Sequence, residues 1–120
     1  NYNSAKKIHD LKKLKIKHKN IYERYKLRLN NLYKKIKKIN SKIIFITQVK
    51  FNGLKDEKLF LLNETLKKFS FENKINILKL DEIFVGSQDD FYDEMHTTPQ
   101  GSEKIAKIMF EYLFAILKKN

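Results

Sequence analysis

Residues 42–80 read KIIFITQVKFNGLKDEKLFLLNETLKKFSFENKINILKL. Within them Ile43-Ile44-Phe45-Ile46-Thr47 is a short continuous apolar run rich in β-branched residues, which predicts a strand covered on both faces, as in parallel sheets. Gln48 to Asp56 contains Asn52-Gly53 and predicts the loop leaving that strand. A helix follows from about Glu57 to Asn73, with Leu59, Leu62, Leu66 and Phe69 on one face, and then a second strand, Ile75 to Leu80. Strand, helix and strand in this order predict a right-handed crossover between two parallel strands, with Asp81 at the C-terminal end of the second.

Upstream, Ser4 to Asn40 holds no Pro or Gly. Apolar residues at Tyr22, Tyr25, Leu29, Leu32, Ile36 and Ile39 alternate in spacings of three and four, one face of a helix. Ile8, Leu11 and Leu14 give a weaker stripe, so the pattern predicts one long helix, or two joined near Lys19-Asn20. Downstream, Val85 to Thr98 reads as an irregular loop. Thr98-Pro99 then starts a last helix, with Thr98 as N-cap and Pro99 at the first helical position, where its missing N–H costs nothing. That helix runs to about Lys118, with Ile105, Ile108, Tyr112, Leu113 and Ile116 available for packing.

The 120 residues suffice for one domain and not for two. Division within it follows charge: residues 1–41 form a basic helical segment, and residues 42–120 the strand-helix-strand-loop-helix unit. Residues 1–42 hold fifteen Lys or Arg against Asp10 and Glu23, whereas the other 78 residues carry a balance of −1, so nearly all of the net +12 belongs to one segment. No apolar run approaches a bilayer span, which limits any membrane contact to the periphery. The absence of Cys excludes disulfides and thiolate zinc sites and leaves the redox compartment unread. The chain opens on Asn1 without an apolar leader, consistent with a natural N-terminus cut away or processed.

Two parallel strands and three helices cannot complete a sheet, and strands this apolar call for neighbours. The expected fold is α/β, a flavodoxin-like three-layer α/β/α sandwich with parallel strands, incomplete in this chain. Either the chain is part of a larger domain or it pairs with another chain.

The densest cluster of chemically capable residues is Asp89-Asp90-Phe91-Tyr92-Asp93-Glu94-Met95-His96-Thr97-Thr98-Pro99-Gln100-Gly101, between a strand and a helix, where α/β folds place their sites. Asp93 and His96 are three residues apart, so one turn lets the carboxylate accept a hydrogen bond from imidazole Nδ1. The other ring nitrogen is then free to remove a proton from a nucleophile. Phe91 and Tyr92 read as packing residues that fix the loop, and Asp81 as a strand end. His9 and His18, nine residues apart, fall on opposite faces of one helix and make no structural zinc site.

The run Asp93-x-x-His96-x-Thr98-Pro99-x-Gly101-x-x-x-Ile105-Ala106 resembles the last conserved block of SGNH (GDSL-like) hydrolases. Earlier elements are similar too: a strand ending Phe45-Ile46-Thr47-Gln48, a helix containing Leu62-Asn63, and a strand running into Leu80-Asp81. The resemblance covers the chain from about Tyr22 and is most specific at 91–106. It implies a serine esterase or acyl hydrolase, with Asp93 and His96 as the Asp and His of a Ser-His-Asp triad acting on esters of carbohydrate or lipid. No metal or organic cofactor is needed. The family's Gly-Asp-Ser, Gly and Gly-x-Asn-Asp blocks have no counterpart here: Ser4, Ser41, Ser70, Ser87 and Ser102 all lack the strand-to-helix Gly-Asp-Ser setting. The nucleophile must therefore come from a missing N-terminal segment or a partner chain, and this chain alone is expected to be inactive.

A rival reading is a non-catalytic basic module whose lysine-rich helix contacts nucleic acid or anionic surfaces with salt-sensitive affinity. Scarce Arg and the absence of any recognition-helix or RNA-motif pattern count against nucleic acid, and a charged outer face is usually only a solvated one.

Overall fold

The structure, a computed structural model, describes residues 1–39 and 42–119. Asn40 and Ser41, where the sequence sets the end of the first helical stretch and of the basic segment, lie outside the described residues, as does Asn120.

The basic segment forms three helices rather than one or two: α1 (Tyr2–Ile8), α2 (Leu11–Lys17) and α3 (Lys19–Lys38). Side chains that compete with the helical ladder make the breaks. Asp10 caps α2, its carboxylate accepting the N–H groups of Lys12 and Lys13. Just before it, a ring nitrogen of His9 lies 2.8 Å from the Leu54 carbonyl oxygen, and the ring packs on Phe60 with centroids 4.7 Å apart. At the second break His18 leaves helical geometry and its Nε2 lies 3.2 Å from the Glu57 carboxylate. The two histidines are thus junction residues serving different neighbours, not opposite faces of one helix.

Strands β1 (Ile44–Ile46) and β2 (Asn76–Leu78) pair in parallel, with Ile44 opposite Asn76 and Ile46 opposite Leu78. Helix α4 (Glu57–Glu72) connects them. Phe45 meets Phe69 of α4, which meets Tyr33 of α3 edge-on at 5.7 Å, so these two helices cover one face of the sheet. The next residue, Ile46, points the other way by strand alternation and is 37% exposed. Its partner Leu78, on the same face, is buried, so the second face is covered at β2 and left partly open at β1.

Both strands are shorter than their apolar runs. The second gives way to a short helix, α5 (Leu80–Ile83), so Asp81 lies in a helix and not at a strand end. Its backbone N–H bonds the Thr47 hydroxyl at 3.0 Å instead of a ladder partner.

Helix α4 buries more than the single stripe its leucines suggest: Phe60, Leu61, Asn63, Thr65, Leu66 and Ser70 are all inside. It lies between α2 and α3 on one side and β2 on the other. Full burial of Leu61 contributes about 1.5–3 kcal/mol. Thr65 and Ser70 are tolerated there because their hydroxyls donate to the carbonyls one turn back, Leu61 and Leu66.

The last helix, α6 (Pro99–Lys118), has Thr98 as N-cap and Pro99 in its first turn. Ile105, Ile108, Tyr112 and Ile116 are half-buried, whereas Phe110, Leu113, Phe114 and Leu117 stand in solvent. No described helix is long and apolar enough to cross a membrane. The architecture is α/β: a helix-rich chain around a small two-stranded parallel sheet.

Candidate functional site

Between β2 and α6 the chain folds into a narrow turn. Phe91 and Thr97 face each other in an antiparallel bridge, and the Tyr92 N–H donates to the His96 carbonyl at 2.8 Å. A second tie crosses to the loop leaving β1, where the Phe51 N–H donates to the Glu94 carbonyl at 2.9 Å. Phe91 is buried and anchors the turn; Tyr92 is exposed and does not pack as the sequence suggests, because the bridge at 91 turns the next side chain outward.

Inside the turn both oxygens of Asp93 are used. Oδ1 accepts the backbone N–H of Met95 at 2.8 Å and of His96 at 2.7 Å. Oδ2 lies 2.8 Å from His96 Nδ1. The hydrogen bonds from the His96 and Met95 backbone, followed by the one to the imidazole, pull the Asp93 pKa down to about 2. A carboxylate ionised at neutral pH favours the tautomer with hydrogen on Nδ1 and leaves Nε2 as a proton acceptor. No hydrogen bond engages Nε2 among the described residues, and the side chains of His96 and Asp93 are 77% and 57% exposed.

What holds this turn against the body is Asp90, which the sequence presents only as one of two adjacent aspartates. Its side chain is fully buried. It accepts from the Ser87 N–H at 2.8 Å, from Gln100 Nε2 at 3.1 Å, and pairs with Lys104 Nζ at 3.0 Å. The Ser87 backbone bond first, then Lys104, lower its pKa to about 2. Its own carbonyl receives the Thr98 N–H at 2.9 Å. The side chain of Thr98 donates to the Asp89 carbonyl at 2.7 Å and accepts from the Gly101 N–H at 3.2 Å. Thr98, Pro99 and Gly101 of the motif thus join the turn to the helix.

Beneath the loop lies a second cluster that sequence reasoning did not identify. Asp81 is buried, accepts the Thr47 hydroxyl at 2.7 Å and receives Lys67 Nζ at 2.8 Å. Lys67 also meets Glu64 at 3.0 Å and Glu82 at 2.8 Å, and lies over the Tyr2 ring, 4.1 Å from its centroid. Burial alone would depress the Lys67 pKa, but hydrogen bonds to Asp81, Glu82 and Glu64 together outweigh it and hold the ammonium above the ordinary lysine range. The Tyr2 hydroxyl donates to Glu64; burial, reinforced by that bond, raises its pKa. Asn63 clamps the loop after β1, accepting the Gln48 N–H at 3.0 Å and donating to the Gln48 carbonyl at 2.8 Å. Long-range partners of this kind leave no local sequence signal.

In comparisons with known proteins the chain matches no family model, no curated protein and no solved structure.

Proposed function

We propose that this chain is the C-terminal part of an SGNH-type ester hydrolase, supplying the Asp and His of its triad. The remaining layers of its α/β/α sandwich and its nucleophilic serine lie outside residues 1–120. The observation that carries the reading is the 2.8 Å approach of Asp93 Oδ2 to His96 Nδ1 beside an open Nε2. Asp93 orients the ring and offsets the charge it gains. Nε2 takes the proton of the serine hydroxyl as Oγ attacks the ester carbonyl carbon, forming a tetrahedral intermediate. The same proton then passes to the departing alcohol as the C–O bond breaks. Water attacks the acyl-serine in the second half-reaction, again giving its proton to Nε2 and releasing acid and free serine. The exposed apolar residues of α6 and Ile46 of β1 give the missing layers surfaces to pack against.

The test is hydrolysis of p-nitrophenyl esters, the acetate and the octanoate, by the protein assembled with its serine-bearing segment. Loss of turnover in His96→Ala with folding intact is expected; undiminished turnover in that variant overturns the reading.

A second reading rests on a separate observation: of the Lys and Arg side chains between Lys6 and Lys38, all but Lys15 are exposed. A non-catalytic basic module would bind a nucleic acid with steep salt dependence, indifferent to His96→Ala and lost when these lysines are neutralised. Salt-insensitive retention, or none, removes that reading.

A further inference from the structure

A cavity of about 360 Å³ has Phe91, the buried anchor of the Asp93–His96 turn, in its wall. This volume falls within the range of about 300–1,000 Å³ typical of small-molecule sites. Its walls come from four places in the chain: Ala5 of α1, Phe51 and Leu54 of the loop after β1, Phe60 of α4, and Phe84 and Phe91 of the loop before α6. The rings brace one another, with centroids 6.2 Å apart for Phe51–Phe91 and 6.1 Å for Phe84–Phe91. Gly86 makes the second pair possible, since a Cβ there would sit 2.8 Å from Phe84 and 2.9 Å from Phe91.

The buried polar groups in this wall, Asn63 and Asp81, are already engaged, as is Lys50. Asn63 is bonded in both directions to the Gln48 backbone, Asp81 to Thr47 and Lys67, and Lys50 to Asp56 at 2.6 Å. The rest of the wall is mostly apolar, with Gln48, Asn52 and Lys55 exposed among it, so a buried occupant is offered chiefly apolar surface and a polar head placed among the rings would lose its water. Two wall residues also carry the turn. Phe91 begins the bridge that ends at Thr97, and the Phe51 N–H binds the carbonyl of Glu94, two residues from His96.

We infer that this cavity holds the acyl chain of the ester, so that the substrate class is an ester of a medium-chain aliphatic acid rather than an acetyl ester. The inference rests on the hydrolase reading and gives it a substrate. The carbonyl lies toward Phe51 and Phe91, the two wall residues tied to the turn, with the chain running among the phenylalanines.

Nuclear magnetic resonance titration of the protein with octanoate and with acetate tests the pocket without any reaction. Octanoate saturates and shifts the amides of Phe51, Phe84 and Gly86, while acetate produces no saturable shift. Val85 lines the mouth and is 84% exposed, so Val85→Trp narrows the entrance without disturbing the core. Phe84→Ser puts a hydroxyl into the wall. An octanoate affinity at least tenfold weaker in either variant, at an unchanged unfolding midpoint, supports the inference. Equal responses to the two acids, or octanoate binding unaffected by both variants, overturns it. The two readings fail separately. Saturable octanoate binding in a protein whose ester hydrolysis survives His96→Ala removes the hydrolase and leaves the pocket. Hydrolysis that depends on His96 but proceeds equally on acetyl and octanoyl esters removes the pocket alone.

Discussion

The carbonyl oxygen of Asp90 occupies the space that a Cβ at Gly101 would need. Helix α6 therefore starts directly against residue 90, close enough for Gln100 and Lys104 to reach the buried Asp90 carboxylate. Gly101→Ala forces the helix start and the turn apart. We expect a loss of about 1–3 kcal/mol, as for other overpacked sites, measured by urea unfolding, together with displaced amide resonances from Asp90 to Thr98.

Asp93→Asn removes the ionised acceptor while keeping a side-chain oxygen for the backbone N–H groups of Met95 and His96. The turn survives, but the ring loses its preference for hydrogen on Nδ1. Imidazole nitrogen-15 shifts will show Nδ1 protonated in the parent and a tautomer mixture in the variant. On the proposed hydrolase reading, ester turnover by the assembled protein falls on the order of 10⁴-fold, the scale of tautomer loss in a triad.

Lys67→Met leaves Glu64, Asp81 and Glu82 converging on a site with no cation. Removal of one partner from a buried charge cluster costs about 3–5 kcal/mol, readable as a lowered unfolding midpoint. Because the folded Lys67 pKa lies above the ordinary 10.5, the cluster's contribution is complete below that pH and is lost as pH rises through the folded value. Alkaline unfolding should therefore weaken in pH dependence in Lys67→Met.

The acid limb has the opposite sign. Asp90 and Asp93 have folded values near 2 against an ordinary 3.8, so their contribution is complete above the ordinary value and is lost as pH falls toward about 2. Amide exchange in residues 87–98 should stay slow until pH drops below about 3.8. In Asp90→Asn the same segment exchanges faster already at neutral pH. Equal protection in parent and variant at neutral pH would remove Asp90 as the anchor.

Much of this chain is legible because its decisive contacts are short-range. The Asp93–His96 approach spans three residues, and the Thr98 cap on α6 spans three more. The helical period of α4 and the β-branched run at 43–47 are also properties of neighbours in sequence. The break at His9-Asp10 leaves no mark in the apolar period, because Asp10 competes for backbone N–H groups within a pattern that otherwise continues helical. Tyr92 turns to solvent because the bridge at Phe91 sets the direction of the next side chain.

The sequence alone determined the order of elements along the crossover, the start of α6 and the spacing of the acid and the imidazole, since each depends on groups a turn or less apart. Tertiary structure alone decided that Lys67 gathers three carboxylates, that Asp81 leaves the strand for Thr47, and that phenylalanines from distant loops enclose one cavity. Thr47 and Asp81 are 34 residues apart, and Tyr2 and Glu64 are 62 apart. Their meeting is set by how the helices stack on the sheet, a result of burying apolar surface that no local pattern encodes.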